Sequence, residues 1–189
     1  MEVKRKGEIT KGRIIESAAK RFVVVGYQGT GINDILVDTN LPKGSFYYYF
    51  KSKKDLGIEV CSHYEKEMIT WFSALADQAN TWNEFIDLMI DDIHTRFENR
   101  EFFGCPFTVF GSEVSIVEPE IAKQCTIALD HIQQIFAGVL RNAGKSRMKA
   151  EELAKRTLAL YEGFLLYFRI SWDLDTLESL RNSLKELAK

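Results

Sequence analysis

The chain has 189 residues, is 46% hydrophobic and carries a formal charge of −2 at pH 7. That composition suits one large folded domain, or a small and a medium one, and excludes extensive disorder. No apolar run approaches the roughly 20 residues of a membrane span, and the charged start "MEVKRKGEITKGR" does not read as a secretory signal. Three cysteines are too few for a disulfide framework, so free thiols in a reducing cytoplasm are expected.

The charge is unevenly spread. Residues 1–56 hold 11 Lys/Arg against 6 Asp/Glu, a net +5, and the remainder is −7. A basic head on an acidic body is the asymmetry expected when one end meets a polyanion.

In chain order, the periodicity is helical throughout. Ile15, Ala18, Ala19 and Phe22 follow i, i+3, i+4, i+7, and Gly26 then ends that helix. "GINDILVDTNLPKGSFYYYF" reads as two short helices around a tight turn, with Ile32, Ile35 and Leu36 facing inward. Asn40 stands where a left-handed residue is needed, Leu41 plugs the interhelical angle, and Pro42 suits the start of the second helix. Ser52 is positioned to cap a long helix that runs to about residue 77 and links head to body. Further stripes are Ile86, Ile90, Ile93, Phe97, then Cys125 to Val139, ended by "NAG", and finally Leu177, Leu180, Leu184, Leu187. Eight or nine helices and no sheet are expected, an all-α chain.

The two short helices form a helix-turn-helix, whose second helix enters the DNA major groove by its N-terminal residues. Lys43, Gly44 and Ser45 occupy the first turn of that helix, where a small residue permits close backbone approach. The hydroxyls of Tyr47, Tyr48 and Tyr49 can donate to phosphates, and Lys53 can add a charge-assisted contact. Phe46 and Phe50 point back into a three-helix core, with Tyr47 expected to be partly core as well.

The run "GYQGTGINDILVDTNLPKGSFYYYFKSKKDL" closely resembles the DNA-binding domain of the TetR/AcrR family of bacterial repressors. The likeness covers about residues 10–57 without gaps: Gly-Tyr, a Thr before the second helix, Lys-Gly-small-aromatic-Tyr-Tyr, then Lys-x-Lys-x-x-Leu. It implies phosphate contacts from Thr30 and the Tyr/Lys set, with Lys43 and Ser45 nearest base edges. It also implies a DNA-binding domain at 1–56, a helical ligand-sensing and dimerisation domain at 57–189, and a cytoplasmic regulator rather than an enzyme, without a cofactor.

Beyond residue 60 the reading rests on the residues themselves. "LALYEGFLLYFRI", 158–170, is apolar on nearly all sides, so its own core takes one face and a partner subunit the other. With the last leucine stripe it is expected to build an intersubunit four-helix bundle, the dimer the resemblance implies. Such a homodimer reads a near-palindromic double-stranded operator, with half-sites about 34–36 Å apart. Trp71, Phe97, Phe107, Phe110, Phe136, Tyr161 and Phe164, with Cys105, are the expected lining of a mostly apolar pocket for a small apolar or aromatic inducer.

Gly104-Cys105-Pro106 interrupts helical sequence and puts Cys105 at a helix start, where a thiolate is favoured. A Gly-Cys here is similar to a subset of the family that includes electrophile and oxidant sensors, so a thiol-based sensor stands as the alternative to a reversible inducer; the blander alternative is a small buried hydrophobe. Cys61 and Cys125 fall on apolar helical positions and read as core. Cys61 with His63, and Asp91 with His94, do not make metal sites. His131 stands alone, and with Cys105 it would be the best nucleophile–base pair were the chain an enzyme.

Overall fold

The structure, a computed structural model, describes the backbone of residues 2–189 and the side chains from residue 7 onward; the charged residues 1–6 of the basic head thus lie partly outside it. Nine helices and no strand occur among the described residues: α1 (Glu2–Val24), α2 (Ile32–Thr39), α3 (Lys43–Tyr49), α4 (Lys53–Gln78), α5 (Trp82–Glu98), α6 (Pro106–Val117), α7 (Pro119–Asn142), α8 (Arg147–Ser171) and α9 (Asp175–Leu187).

The helix boundaries follow local chemistry. After α1, Gly26 takes φ 96° and its N–H donates to Arg21 O, a left-handed stop that glycine tolerates without strain. Asn40 closes α2 at φ 51°, ψ 46°, and the next N–H, of Leu41, bonds Leu36 O at 3.0 Å. Pro42 stands one residue earlier than expected, at the N-cap of α3 rather than inside it. The Ser52 hydroxyl accepts the Asp55 N–H at 3.1 Å and opens α4. The Thr81 hydroxyl accepts the Glu84 N–H at 3.1 Å to cap α5, and the Glu84 carboxylate reaches back to the N–H of Asn80. Pro106 and Pro119 each begin a helix, where the missing N–H costs nothing.

α1, α2 and α3 pack around Ile14, Ala18, Phe22, Ile35, Phe46 and Phe50, all buried. The Arg21 guanidinium grips Asp38 through two hydrogen bonds, 2.5 and 2.7 Å, pinning α1 to α2. The body packs α4 along α7 and α7 along α8. At the α4–α7 crossing a Cβ on Gly57 would come within 2.6 Å of Ile121 Cδ1, so the two helices approach closely there and a larger residue would push the Ile121 side chain aside.

The last helix corrects one expectation. Leu177, Leu180 and Leu184 are fully buried within the subunit, against α5 and α8. Arg181 reinforces that packing through Asp87 at 2.7 Å and Asp91 at 2.6 Å. The leucine stripe is consumed by its own chain, because α5 presents a complementary apolar face. What α8 leaves outward is a separate row on one helical face: Ala159, Gly163, Leu166, Tyr167 and Ile170, all exposed.

Candidate nucleic-acid interface and the cavity behind it

The recognition-helix face is built as its first turn dictates. Lys43 and Gly44 are exposed and Ser45 is half-buried; a Cβ on Gly44 would meet nothing within 4 Å, so the backbone there is open to approach. Tyr48 is 80% exposed and Tyr47 54% exposed, leaving both hydroxyls available to a phosphate. Tyr49, not Tyr47, is the partly buried tyrosine packed on the core, its hydroxyl lying 3.5 Å from the Cβ position of Gly7 on α1. Helical geometry decides this: residue 49 is three beyond Phe46 and shares its inward side.

Two expected phosphate ligands are engaged elsewhere. Thr30 is fully buried and its hydroxyl donates to Gly26 O at 2.8 Å, so its side chain shapes the α1–α2 loop instead of reaching outward. Lys53 Nζ stands 4.3 Å over the Tyr27 ring, and burial holds this ammonium below the ordinary lysine range against the charges of Glu113 and Glu118. Lys54 likewise pairs with Glu120 at 2.6 Å. Both lysines lie at the junction of head and body, Lys53 against Tyr27 and Lys54 against Glu120 of α7.

Head and body are joined by more than α4. The Glu113 carboxylate on α6 accepts the backbone N–H groups of Tyr27 and Gln28, each at 2.6 Å. Arg169 on α8 donates to Val23 O at 2.7 Å and also to Phe103 O. The Tyr64 hydroxyl on α4 donates to Ala19 O at 2.6 Å. Sequence periodicity has no means of pairing such distant residues, though an acidic residue in the apolar helix "PFTVFGSEVSIV" is the sort of signal that marks one.

Behind this joint lies a cavity of about 1030 Å³ between α1, α4, α8 and the segment entering α6. Trp71, Cys105 and Tyr161 line it as expected. The other five expected residues do not: Phe107, Phe110 and Phe136 are buried core, Phe97 stacks on Phe168 and Trp172, and Phe164 packs against the core. Much of the lining that sequence reasoning missed is charged or belongs to the head, including Lys20 and Val23 of α1, Lys66, Arg96 and Arg100. Arg96 covers the Trp71 ring at 5.2 Å, and the Trp71 indole N–H donates to Asp92 at 2.8 Å.

Cys105 caps α6 as expected but without the thiolate character. It is 1% exposed, and burial followed by the adjacent Glu162 charge pushes its thiol well up. Its Sγ lies 3.1 Å from Glu162 Oε1, and Thr108 donates to the other carboxylate oxygen. Burial raises Glu162 itself to about 7. Desolvation thus outweighs the helix dipole at this N-terminus.

The arrangement is that of a helix-turn-helix DNA-binding transcription regulator: an open recognition face on a basic head, joined to a helical body with a cavity behind the joint. Residues 14–60 match the family model "Bacterial regulatory proteins, tetR family", and residues 83–183 match "Transcriptional regulator LmrA/YxaF-like, C-terminal domain". The chain belongs to the TetR family of bacterial regulatory proteins. It is 25% identical over 159 residues to the HTH-type transcriptional regulator LmrA of Bacillus subtilis, covering 83% of this chain and 85% of that protein. Over 62 residues, 31% of this chain and 33% of the other, it is 37% identical to IcaR of Staphylococcus aureus, the negative transcriptional regulator of a biofilm operon. A TetR transcriptional regulator from Legionella pneumophila superposes with TM-score 0.83 at 27% identity, covering 94% and 96% of the two chains. No helix among the described residues is long and apolar enough to cross a membrane.

Proposed function

We propose that this regulator is a homodimeric repressor released from a near-palindromic operator by a small apolar or aromatic inducer. The observation that carries the reading is the position of the cavity, whose wall includes Lys20 and Val23 of the head helix α1 as well as Trp71 of α4. An occupant therefore touches the head directly, and any preference it has for one head position becomes a change in DNA affinity. Lys43 and Ser45 are assigned to base edges, with Gly44 permitting approach and Tyr47 and Tyr48 on phosphates. The domain division follows: residues 1–56 read DNA, while 57–189 sense and dimerise through the exposed α8 face beside α9. The repressing sign is supported by the likeness over 62 residues to IcaR, named a negative regulator.

A second reading, a thiol sensor at Cys105, is favoured by one observation: Cys105 belongs to the cavity wall and lies within proton-transfer reach of Glu162. Fluorescence anisotropy on DNA from upstream of the protein's own gene tests both. Affinity should fall about 10³-fold or more between roughly 50 and 200 mM salt if several phosphates are contacted. A flat salt profile, or a sequence preference untouched by Lys43→Ala, ends the recognition-helix assignment. Sensitivity to an alkylating electrophile that vanishes in Cys105→Ser selects the thiol reading; indifference leaves the reversible inducer.

A further inference from the structure

Cys61 and Cys125 read as ordinary core from sequence, yet the fold sets them face to face. Their Sγ atoms are 3.5 Å apart, across the contact between α4 and α7, and both thiols are free and buried. The contact one helical turn earlier is the close approach of Gly57 to Ile121, so the two helices already run close together here. A disulfide requires about 2.05 Å between sulfurs, and closing the gap takes about 1.5 Å of combined side-chain rotation and helix movement. Cys105 is not part of this pair; its sulfur faces Glu162.

We propose that Cys61 and Cys125 form an internal dithiol site that a hydroperoxide oxidises to a disulfide, stapling the linking helix α4 to α7. The thiol of Cys61 donates toward Cys125 Sγ, and that hydrogen bond lowers the Cys125 thiol while its partner is raised. Cys61 stands within reach as the resolving sulfur for an attacking Cys125. The Cys125 thiolate attacks one peroxide oxygen; the S–O bond forms, the O–O bond breaks, and the leaving oxygen takes a proton to become alcohol, or water from hydrogen peroxide. The Cys61 sulfur then attacks the sulfenic sulfur; the S–S bond forms, the S–O bond breaks, and hydroxide leaves as water with the Cys61 proton. The two sulfurs together lose two electrons and the peroxide gains them. A small dithiol reductant reverses the change.

The place of the staple gives it consequence. α4 begins at Lys53, directly after the recognition helix, and reaches the cavity wall at Trp71. Residue 61 lies between them, and one turn on Tyr64 holds α1 through Ala19 O. Drawing α4 toward α7 at this point moves the helix that carries the head, so oxidation lowers DNA affinity. This regulatory half rests on the DNA-binding reading above, whereas formation of the bond does not.

The test is to treat the purified full-length protein with hydrogen peroxide and measure intact mass under non-reducing, denaturing conditions. The expected result is a monomer lighter by two hydrogens, about 2 Da. A peptide map should join α4 to α7, and titratable thiols should drop to the single Cys105. Cys61→Ser and Cys125→Ser should each abolish the cross-link, and Cys105→Ser should keep it. Addition of oxygen without a cross-link, a bridge that includes Cys105, or a bridge between chains overturns the site. Anisotropy on the upstream DNA fragment then reads the second half: affinity should fall about 5- to 150-fold, the usual range of coupling between sites, and recover with dithiothreitol, but not change in Cys61→Ser. A disulfide that forms while affinity holds or rises overturns the regulatory role. If reduced protein does not bind the fragment at all, the repressor reading fails and the mass result still decides the dithiol site.

Discussion

The carboxylate of Glu113 accepts the backbone N–H of Tyr27 at 2.6 Å, joining the sixth helix of the body to the first loop of the DNA-binding head. The same carboxylate takes the N–H of Gln28, so one side chain satisfies two donors of the loop that follows α1. Lys53 and Glu118 close the site around the Tyr27 ring and hydroxyl. The joint between domains is thus a charged, hydrogen-bonded clasp laid beside a cavity.

Glu113→Ala should therefore cost about 1–3 kcal/mol of stability, since it strands two donors that the carboxylate now serves. Chemical denaturation measures the loss. The informative comparison is Glu113→Gln, whose amide oxygen can keep one of the two bonds and should recover part of the difference. Equal losses for the two variants would argue that the contact is incidental.

Lys43 and Lys53 separate reading from holding. Lys43→Ala should change the preference among DNA sequences, as loss of a base-edge contact does, and leave unfolding unchanged. Lys53→Ala should instead lower stability by about 0.5–1 kcal/mol through loss of its contact with Tyr27, with the salt slope intact. Reversed outcomes would place Lys53 on DNA.

The α8 row should break when charged. Ile170, 72% exposed, and Tyr167, 61% exposed, are apolar surface that a monomer has no reason to collect on one face. Tyr167→Asp with Ile170→Asp is expected to give a folded monomer by sedimentation, with the helical circular dichroism unaltered. A dimer that survives both changes uses another face.

Glu162 makes a pH prediction with a definite sign. Burial raises it from 4.5 to about 7, so the folded protein holds a proton that the unfolded chain releases near pH 4.5. Its contribution is present below that value and is lost as pH rises through 7, a difference of about 3 kcal/mol at most. The unfolding free energy of wild type minus that of Glu162→Gln should fall between about pH 4.5 and 7 and level off above. A flat difference would mean that Glu162 is charged throughout.

How much of this was legible in the sequence depended on the range of the interactions. The αL turn at Asn40, the stop at Gly26 and the caps at Ser52 and Cys105 are chemistry within a few residues, so helix order and the recognition face could be read directly. Periodicity also found the apolar faces, because a helix repeats every 3.6 residues wherever it packs. It could not say what covers each face. Leu177, Leu180 and Leu184 looked like an intersubunit stripe and are buried by α5 and α8; Phe107, Phe110 and Phe136 looked like pocket and are core. The same limit hid the clasp of Glu113 on residues 27 and 28, the turn of Lys53 toward Tyr27, and the meeting of Cys61 with Cys125 64 positions apart. Those pairings arise only when α4, α6 and α7 converge, and desolvation there reverses even the local expectation of a thiolate at Cys105. Sequence alone determined the elements and the exposed face of the recognition helix; tertiary packing decided which residues face the cavity, which join head to body, and which two sulfurs touch.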